Sequence, residues 1–273
     1  MTAAMLLPVG LGPLADEFPH RVFDTGIAEQ HAVTAAAGLA FAGFHPVVAL
    51  YATFLNRAFD QLLMDVALHD EPVTIVLDRA GITGDDGASH NGMWDLSLAA
   101  MIPNLRTAAP RDGATLRAEL AEAVSMQHPT LLRYPKGDVP TDIPAIDSVS
   151  GLDVIGRVES ADSPRILIVA IGAMASNAIA ALDLVEGADL TVVDPRWVLP
   201  IGDNVVEYAQ GFDAVVTVED GLRDGGVGEQ IEDALDIPVH VIGVERDVIL
   251  EREGMTPAGI AEAAKKLADA VRS

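Results

Sequence analysis

The chain has 273 residues, half of them apolar, and its 17 basic and 41 acidic side chains give a net charge of −24. That length fits one large domain or two of ordinary size, and the charge argues against a partner with a phosphate backbone or an anionic lipid surface, so no nucleic-acid and no membrane role is expected. With no cysteine, disulfides, thiolate nucleophiles and zinc–thiolate sites are excluded, and a cytoplasmic location is the expectation.

The N-terminal MTAAMLLPVGLGPL has no basic n-region and is broken by Pro and Gly, so it reads as the edge of a folded domain and not as a signal peptide. Short β-rich runs then alternate with alanine-rich segments, the pattern of helices layered on a mainly parallel sheet. In chain order, strands are expected at Val22–Asp24, Val47–Leu50, Val73–Leu77, Arg106–Ala109 and Thr130–Arg133. Helices are expected at Glu29–Ala42, Asn56–Leu68, Trp94–Ala100 and Ala114–Val124. A Pro-, Asp- and Ser-rich stretch without periodicity follows and reads as a linker. Strands then resume at Ile166–Ile171, Leu190–Val193, Ala214–Val218 and Val239–Ile242, alternating with helices that end at Pro257–Val271. The fold expected is two consecutive three-layer α/β domains with mainly parallel sheets, at 1–138 and 165–273, joined by a linker at 139–164.

The first domain carries 8 basic and 16 acidic residues, the remainder of the chain 9 and 25. Four cations, Arg57, Arg79, Arg133 and Lys136, fall at strand or helix ends, where they could hold an anionic substrate or form ordinary surface ion pairs. Three segments concentrate chemistry. FDTGIAEQHAV (23–33) puts Glu29 at a helix start, as a cap for free amides or as a site carboxylate. YATFLNRAFDQ (51–61) groups Tyr51, Phe54 and Arg57 after a buried strand, where open α/β sheets bind ligands. LDRAGITGDDGASHNGMWDL (77–96) is a long glycine-rich polar loop bearing Arg79, Asp86, His90 and Asn91. No segment has the ligand spacing of a zinc or calcium site, so no metal ligand is assigned. Neither GxxxxGK[ST] nor a GxGxxG between a strand and a helix occurs, which leaves nucleotide binding without support.

These segments, with LRYPKG (132–137) and VVDPRWVLP (192–200), closely resemble the 1-deoxy-D-xylulose-5-phosphate synthases of the transketolase superfamily. The resemblance runs over nearly the whole chain. It implies a thiamine-diphosphate pyrimidine-binding fold followed by a transketolase C-terminal-like fold, and decarboxylative condensation of pyruvate with glyceraldehyde 3-phosphate in isoprenoid biosynthesis. On this resemblance Glu29 would act on N1′ of the aminopyrimidine of thiamine diphosphate, with Phe54 stacked on the ring and Ile27 beside it. Tyr51, Arg57, Asp86 and His90, the last also catalytic, would contact substrate, and Arg79 and Lys136 would bind its phosphate. Two features depart from the family pattern. Lys136 stands where arginine is usual, giving a point charge in place of a fork, and the segment GVERDVILEREGMTP (243–257) is short.

The family's N-terminal half, whose GDG-to-Asn motif holds Mg²⁺ and the diphosphate, has no counterpart in this sequence. The expectation is a catalytic half that is inactive alone and is completed by a separate N-terminal chain, as a homodimer or heterotetramer. The alternatives are a β-type subunit of a 2-oxoacid dehydrogenase, a split transketolase, or a non-catalytic dimerisation or regulatory remnant.

Overall fold

The computed structural model describes residues 1–245 and 256–272. The short segment before the last helix, expected to alter the packing edge, therefore lies largely outside the described residues. In chain order the first half forms α1 (Gly12–Glu17), α2 (Glu29–Phe41), β1 (Val47–Tyr51), α3 (Phe59–Gln61), β2 (Thr74–Ala80), α4 (Asp95–Ala100), β3 (Arg106–Ala108), α5 (Gly113–Ala123) and β4 (Thr130–Pro135). The second half forms β5 (Asp147–Val149), β6 (Leu152–Val158), β7 (Arg165–Ala170), α6 (Ala175–Leu182), β8 (Asp189–Asp194), β9 (Trp197–Leu199), α7 (Asp203–Ala209), β10 (Ala214–Leu222), α8 (Val227–Ala234), β11 (Val239–Val244) and α9 (Pro257–Arg272).

Two sheets result, in the orders β1-β2-β4-β3-β9 and β11-β10-β7-β8-β6-β5. The central strands are parallel and read as almost continuous apolar runs because both faces are covered: in β7 all but the first residue is buried. The architecture is α/β, as expected. Four local expectations change. Val22–Asp24 is no strand, only a single bridge between Asp24 and Thr2. Within 139–164, read above as a linker, β5 and β6 pair as an antiparallel hairpin on the edge of the second sheet. The helix expected over Asn56–Leu68 is a run of three geometries: a 3₁₀ segment over Ala52–Ala58, the single turn of α3, and a π-helical turn over Leu62–Ala67. Finally, β9, too short to signal itself between Pro195 and Pro200, leaves the second half to pair antiparallel with β3 of the first sheet.

Buried charge also joins the halves. The Arg111 guanidinium donates to Asp153 and Asp194, each at 2.7 Å, and Arg196 and Trp197 donate to the two oxygens of Glu122 at 2.5 and 2.8 Å. Beside them Glu119 of α5 is fully buried. Arg196 Nε lies 3.5 Å from it, and neither carboxylate oxygen has a hydrogen-bond partner among the described residues. Burial, reinforced by the nearby Asp194, pushes its carboxyl from 4.5 up to about 9. The folded chain therefore keeps this proton across a window in which the unfolded chain has already lost it. Raising pH from about 5 to about 9 accordingly favours unfolding, by up to about 1.4 kcal/mol per pH unit from this one group. Urea unfolding at pH 5.5, 7 and 8.5 is expected to show Glu119→Gln gaining on the wild type as pH rises; a constant difference between the two would refute the buried-proton account.

Candidate active site

The C-terminal ends of the adjacent parallel strands β1, β2 and β4 share one edge of the first sheet, and they carry Tyr51, Arg79 and Lys136 respectively. Such an edge is where open α/β sheets bind ligands. The chain leaving β1 enters the 3₁₀ segment, whose three-residue period sets side chains at i and i+3 above one another. Tyr51, Phe54 and Arg57 consequently form a column. The first two rings stack with centroids 6.1 Å apart and planes 15° from parallel, and the Arg57 guanidinium lies 4.3 Å from the Phe54 centroid.

At the far end of the column Arg57 Nη1 donates to Glu29 Oε1 at 2.9 Å. Glu29 opens α2 and its side chain is only 2% exposed, whereas that of Arg57 is 44% exposed. A carboxylate is favoured at a helix N-terminus, where the free amides and the macrodipole lie. One flat cation thus bridges a buried carboxylate and an aromatic face.

The polar loop after β2 closes over the column. Arg79 takes a left-handed backbone conformation (φ 62°), which is costly for a residue with a side chain, and places its guanidinium 4.3 Å from the Tyr51 centroid. Gly92 sits where a Cβ would fall 2.5 Å from Ala52 and 2.8 Å from the Arg79 carbonyl, so the returning end of the loop lies directly against the column's base. Asn91 is buried and accepts from the Thr83 amide and hydroxyl at 3.0 and 3.1 Å, which makes it a staple of the loop. Thr53 donates to the Ser89 carbonyl at 3.0 Å, and next to it His90 meets the Phe54 ring edge-on at 5.8 Å. Asp86 accepts from Arg79 and, at 2.7 Å, from Lys136. The Lys136 ammonium, followed by Arg79, holds the Asp86 carboxyl below its ordinary range. Burial moves the Tyr51 hydroxyl the other way, upward, with Arg79 opposing.

Eight of the nine residues to which the resemblance gives a role are thereby linked in one contact network: Glu29, Arg57, Phe54, Tyr51, Arg79, Asp86, Lys136 and His90. Ile27 stands apart, 81% exposed on the approach to α2. For Arg133, left above between an anion site and an ordinary surface ion pair, the structure shows neither. It is buried, with Nε donating to Asp95 at 2.8 Å and Nη1 donating to Asp220 of the second half. The strand end carries it inward, between the two halves. Asp220 itself reaches the loop's first turn: a Cβ on Gly81 would lie 2.5 Å from its carboxylate. Thr53, Ser89 and Asp220 are positioning residues that the sequence does not flag, because each acts on a partner at least 36 residues away or across the two halves.

Among the described residues no three His, Cys, Asp or Glu side chains come together to hold a metal ion. A flat nitrogen heterocycle, by contrast, fits the Glu29–Phe54 pair, whose present partner is itself flat and nitrogen-bearing. Among the described residues no helix is long and apolar enough to cross a membrane.

The family model for the transketolase pyrimidine-binding domain matches residues 1–141, and that for the transketolase C-terminal domain matches 156–248. The chain belongs to the transketolase family. Among curated relatives, the 1-deoxy-D-xylulose-5-phosphate synthases of Parafrankia sp. and Frankia casuarinae are 56% and 54% identical over 99% of this chain. That of Nocardia farcinica is 52% identical over 96%. The chain spans only 44% of the length of the first two and 45% of the third. Among solved structures, a split-gene transketolase described as an inactive beta4 tetramer superposes with a TM-score of 0.79 at 30% identity, covering 93% of this chain and 88% of that one. A transketolase mutant from Pichia stipitis, 21% identical, shares the fold with a TM-score of 0.73 over 90% of this chain and 38% of its own.

Proposed function

We propose that this transketolase-family chain is the catalytic half of a 1-deoxy-D-xylulose-5-phosphate synthase, condensing pyruvate with glyceraldehyde 3-phosphate with loss of carbon dioxide. The observation that carries the reading is Glu29, a buried carboxylate at a helix start, facing an aromatic side chain through a single flat partner. Thiamine diphosphate, when bound, supplies a carbon nucleophile for decarboxylation and carbon–carbon bond formation. Glu29 holds and moves the proton at the pyrimidine nitrogen, and Phe54 fixes the ring plane. Tyr51, Arg57 and His90 orient the substrate's polar groups, with His90 placed to exchange a proton. Arg79 and Lys136 bind the acceptor phosphate, for which Asp86 serves as their counter-ion until substrate arrives.

Mg²⁺ and the diphosphate fall to a separate N-terminal chain, which joins a homodimer of this chain or forms a heterotetramer with it. The likeness to a split-gene transketolase supports a site shared between two polypeptides, and that same likeness is what favours the second reading, a split transketolase. The test mixes this chain with an N-terminal chain bearing the GDG motif, thiamine diphosphate and Mg²⁺, and follows deoxyxylulose phosphate formed from pyruvate and glyceraldehyde 3-phosphate. Activity is expected only in the mixture. A pair that ignores pyruvate but accepts a ketose phosphate donor establishes the transketolase reading in its place. Within an active pair, Arg79→Ala is expected to raise the KM for glyceraldehyde 3-phosphate by about 10- to 100-fold, the worth of a charge-assisted hydrogen bond, with a much smaller change in kcat. An unchanged KM would remove Arg79 from the phosphate site.

A further inference from the structure

The Arg57 guanidinium makes both of the contacts that the Glu29–Phe54 pair offers. It covers the face of Phe54 that looks toward Glu29, 4.3 Å from the ring centroid, while Tyr51 stacks on Phe54 from the other side. Its Nη1 donates to Glu29 Oε1 at 2.9 Å. A flat heterocycle stacked on Phe54 and hydrogen-bonded to Glu29 needs that same face and that same carboxylate. Two flat groups cannot share one face of one ring, because a single stacked partner already fills the distance of about 3.5–4 Å at which carbon atoms touch.

The same chain shows what a permanent buried ion pair requires. The Arg133 side chain is 1% exposed and donates to two carboxylates, Asp95 and Asp220. That of Arg111 is 5% exposed and donates to Asp153, Asp194 and the Ile143 carbonyl. Arg57 has neither feature. It is tethered by one hydrogen bond to one oxygen, and its side chain is 44% exposed although the carboxylate it covers belongs to a side chain only 2% exposed. A long side chain with its charged head at the water boundary exchanges an ion-pair partner for water at small cost. The cation that covers Glu29 is thus the most easily moved of the three.

We propose that Arg57 is an exchangeable stand-in for the aminopyrimidine ring: it closes the Glu29–Phe54 clamp, competes with the ring for it, and swings into solvent when the ring is seated. The inference rests on the reading of that clamp as the ring site. Displaced, the same guanidinium is free to meet the substrate's polar groups, the role proposed for it above. Seating the ring and opening the substrate site are then one side-chain movement. The apparent affinity for the ring is the intrinsic affinity multiplied by the fraction of molecules in which Arg57 has already left.

The probe is thiamine, which carries the aminopyrimidine without the diphosphate and so asks nothing of Mg²⁺ or of a second chain. Titrated calorimetrically into the intact chain at up to millimolar concentration, it is expected to bind Arg57→Ala about 10- to 100-fold more tightly than the wild type, the span of one charge-assisted hydrogen bond. An arginine that helped to hold the ring would give the opposite sign. A second measurement needs no variant. Phenylglyoxal, which adds to guanidinium groups, is expected to label Arg57 faster when thiamine is present, as read by peptide mass spectrometry, because the displaced side chain gains exposure. Equal or weaker binding by Arg57→Ala, or protection of Arg57 by thiamine, overturns the proposal and leaves the ring site standing. Thiamine binding that Phe54→Ala and Glu29→Gln do not change, or no binding to wild type or Arg57→Ala, removes the ring site itself, and both the proposal and the functional reading with it.

Discussion

Glu29→Gln in the reconstituted pair is expected to lower kcat by about 10²- to 10⁴-fold, the range of a lost acid–base group. The substitution is a clean one. A glutamine keeps an oxygen that can accept from Arg57, so the start of α2 and the Tyr51–Phe54–Arg57 column keep their partner. What disappears is the ability to take up and release a proton at a ring nitrogen. If Glu29 only held the ring, its loss would raise the half-saturating cofactor concentration and leave turnover at saturation intact; if it moves the proton, saturation does not restore the rate. Glu29→Ala adds the cost of a guanidinium deprived of its partner and is expected to be worse in both respects. Steady-state rates at saturating thiamine diphosphate, alongside thermal unfolding of the variant chain, separate these cases. Near-normal turnover for Glu29→Gln would sink the assigned role.

Removing Asp220 is the substitution with the largest expected effect on stability. Arg133 is fully buried between Asp95 and Asp220, and the two carboxylates together keep it charged. Breaking a buried pair on one side leaves a charge without adequate compensation and costs about 3–5 kcal/mol, whereas replacing all the partners with apolar groups of similar volume is often neutral. Asp220→Ala is therefore expected to lower the urea midpoint sharply, and the triple replacement Arg133→Met, Asp95→Leu, Asp220→Leu to recover much of the loss. Because Asp220 also lies against Gly81 at the base of the 79–93 loop, Asp220→Ala is further expected to raise the acceptor KM in an active pair. A destabilisation below about 1 kcal/mol would mean that water reaches the network, contrary to its burial.

The sequence made the alternation of strands and helices legible because buried parallel strands must be continuously apolar, and β1, β2, β7 and β10 carry that signal. It also flagged most of the side chains that the structure gathers into one network. Tyr51, Arg79 and Lys136 sit where apolar strands stop, and in a parallel sheet all those stops share one edge. Arg133 shows the limit of this reasoning. It too lies near a strand end, but what separates a ligand-facing cation from a buried one is the presence of Asp95 and Asp220, 38 and 87 residues away. The 3₁₀ column was equally hidden, since Asn56–Leu68 carries the apolar spacing of an ordinary helix.

What the sequence by itself determined is the inventory: the α/β class, the family resemblance, and a set of side chains that the fold brings together. Those are properties of local pattern and of side-chain identity. Only the tertiary structure decided which charges neutralise one another and that β9 crosses into the first sheet. Pairing and crossing depend on distances between segments remote in sequence, and those distances are fixed only once the two sheets pack.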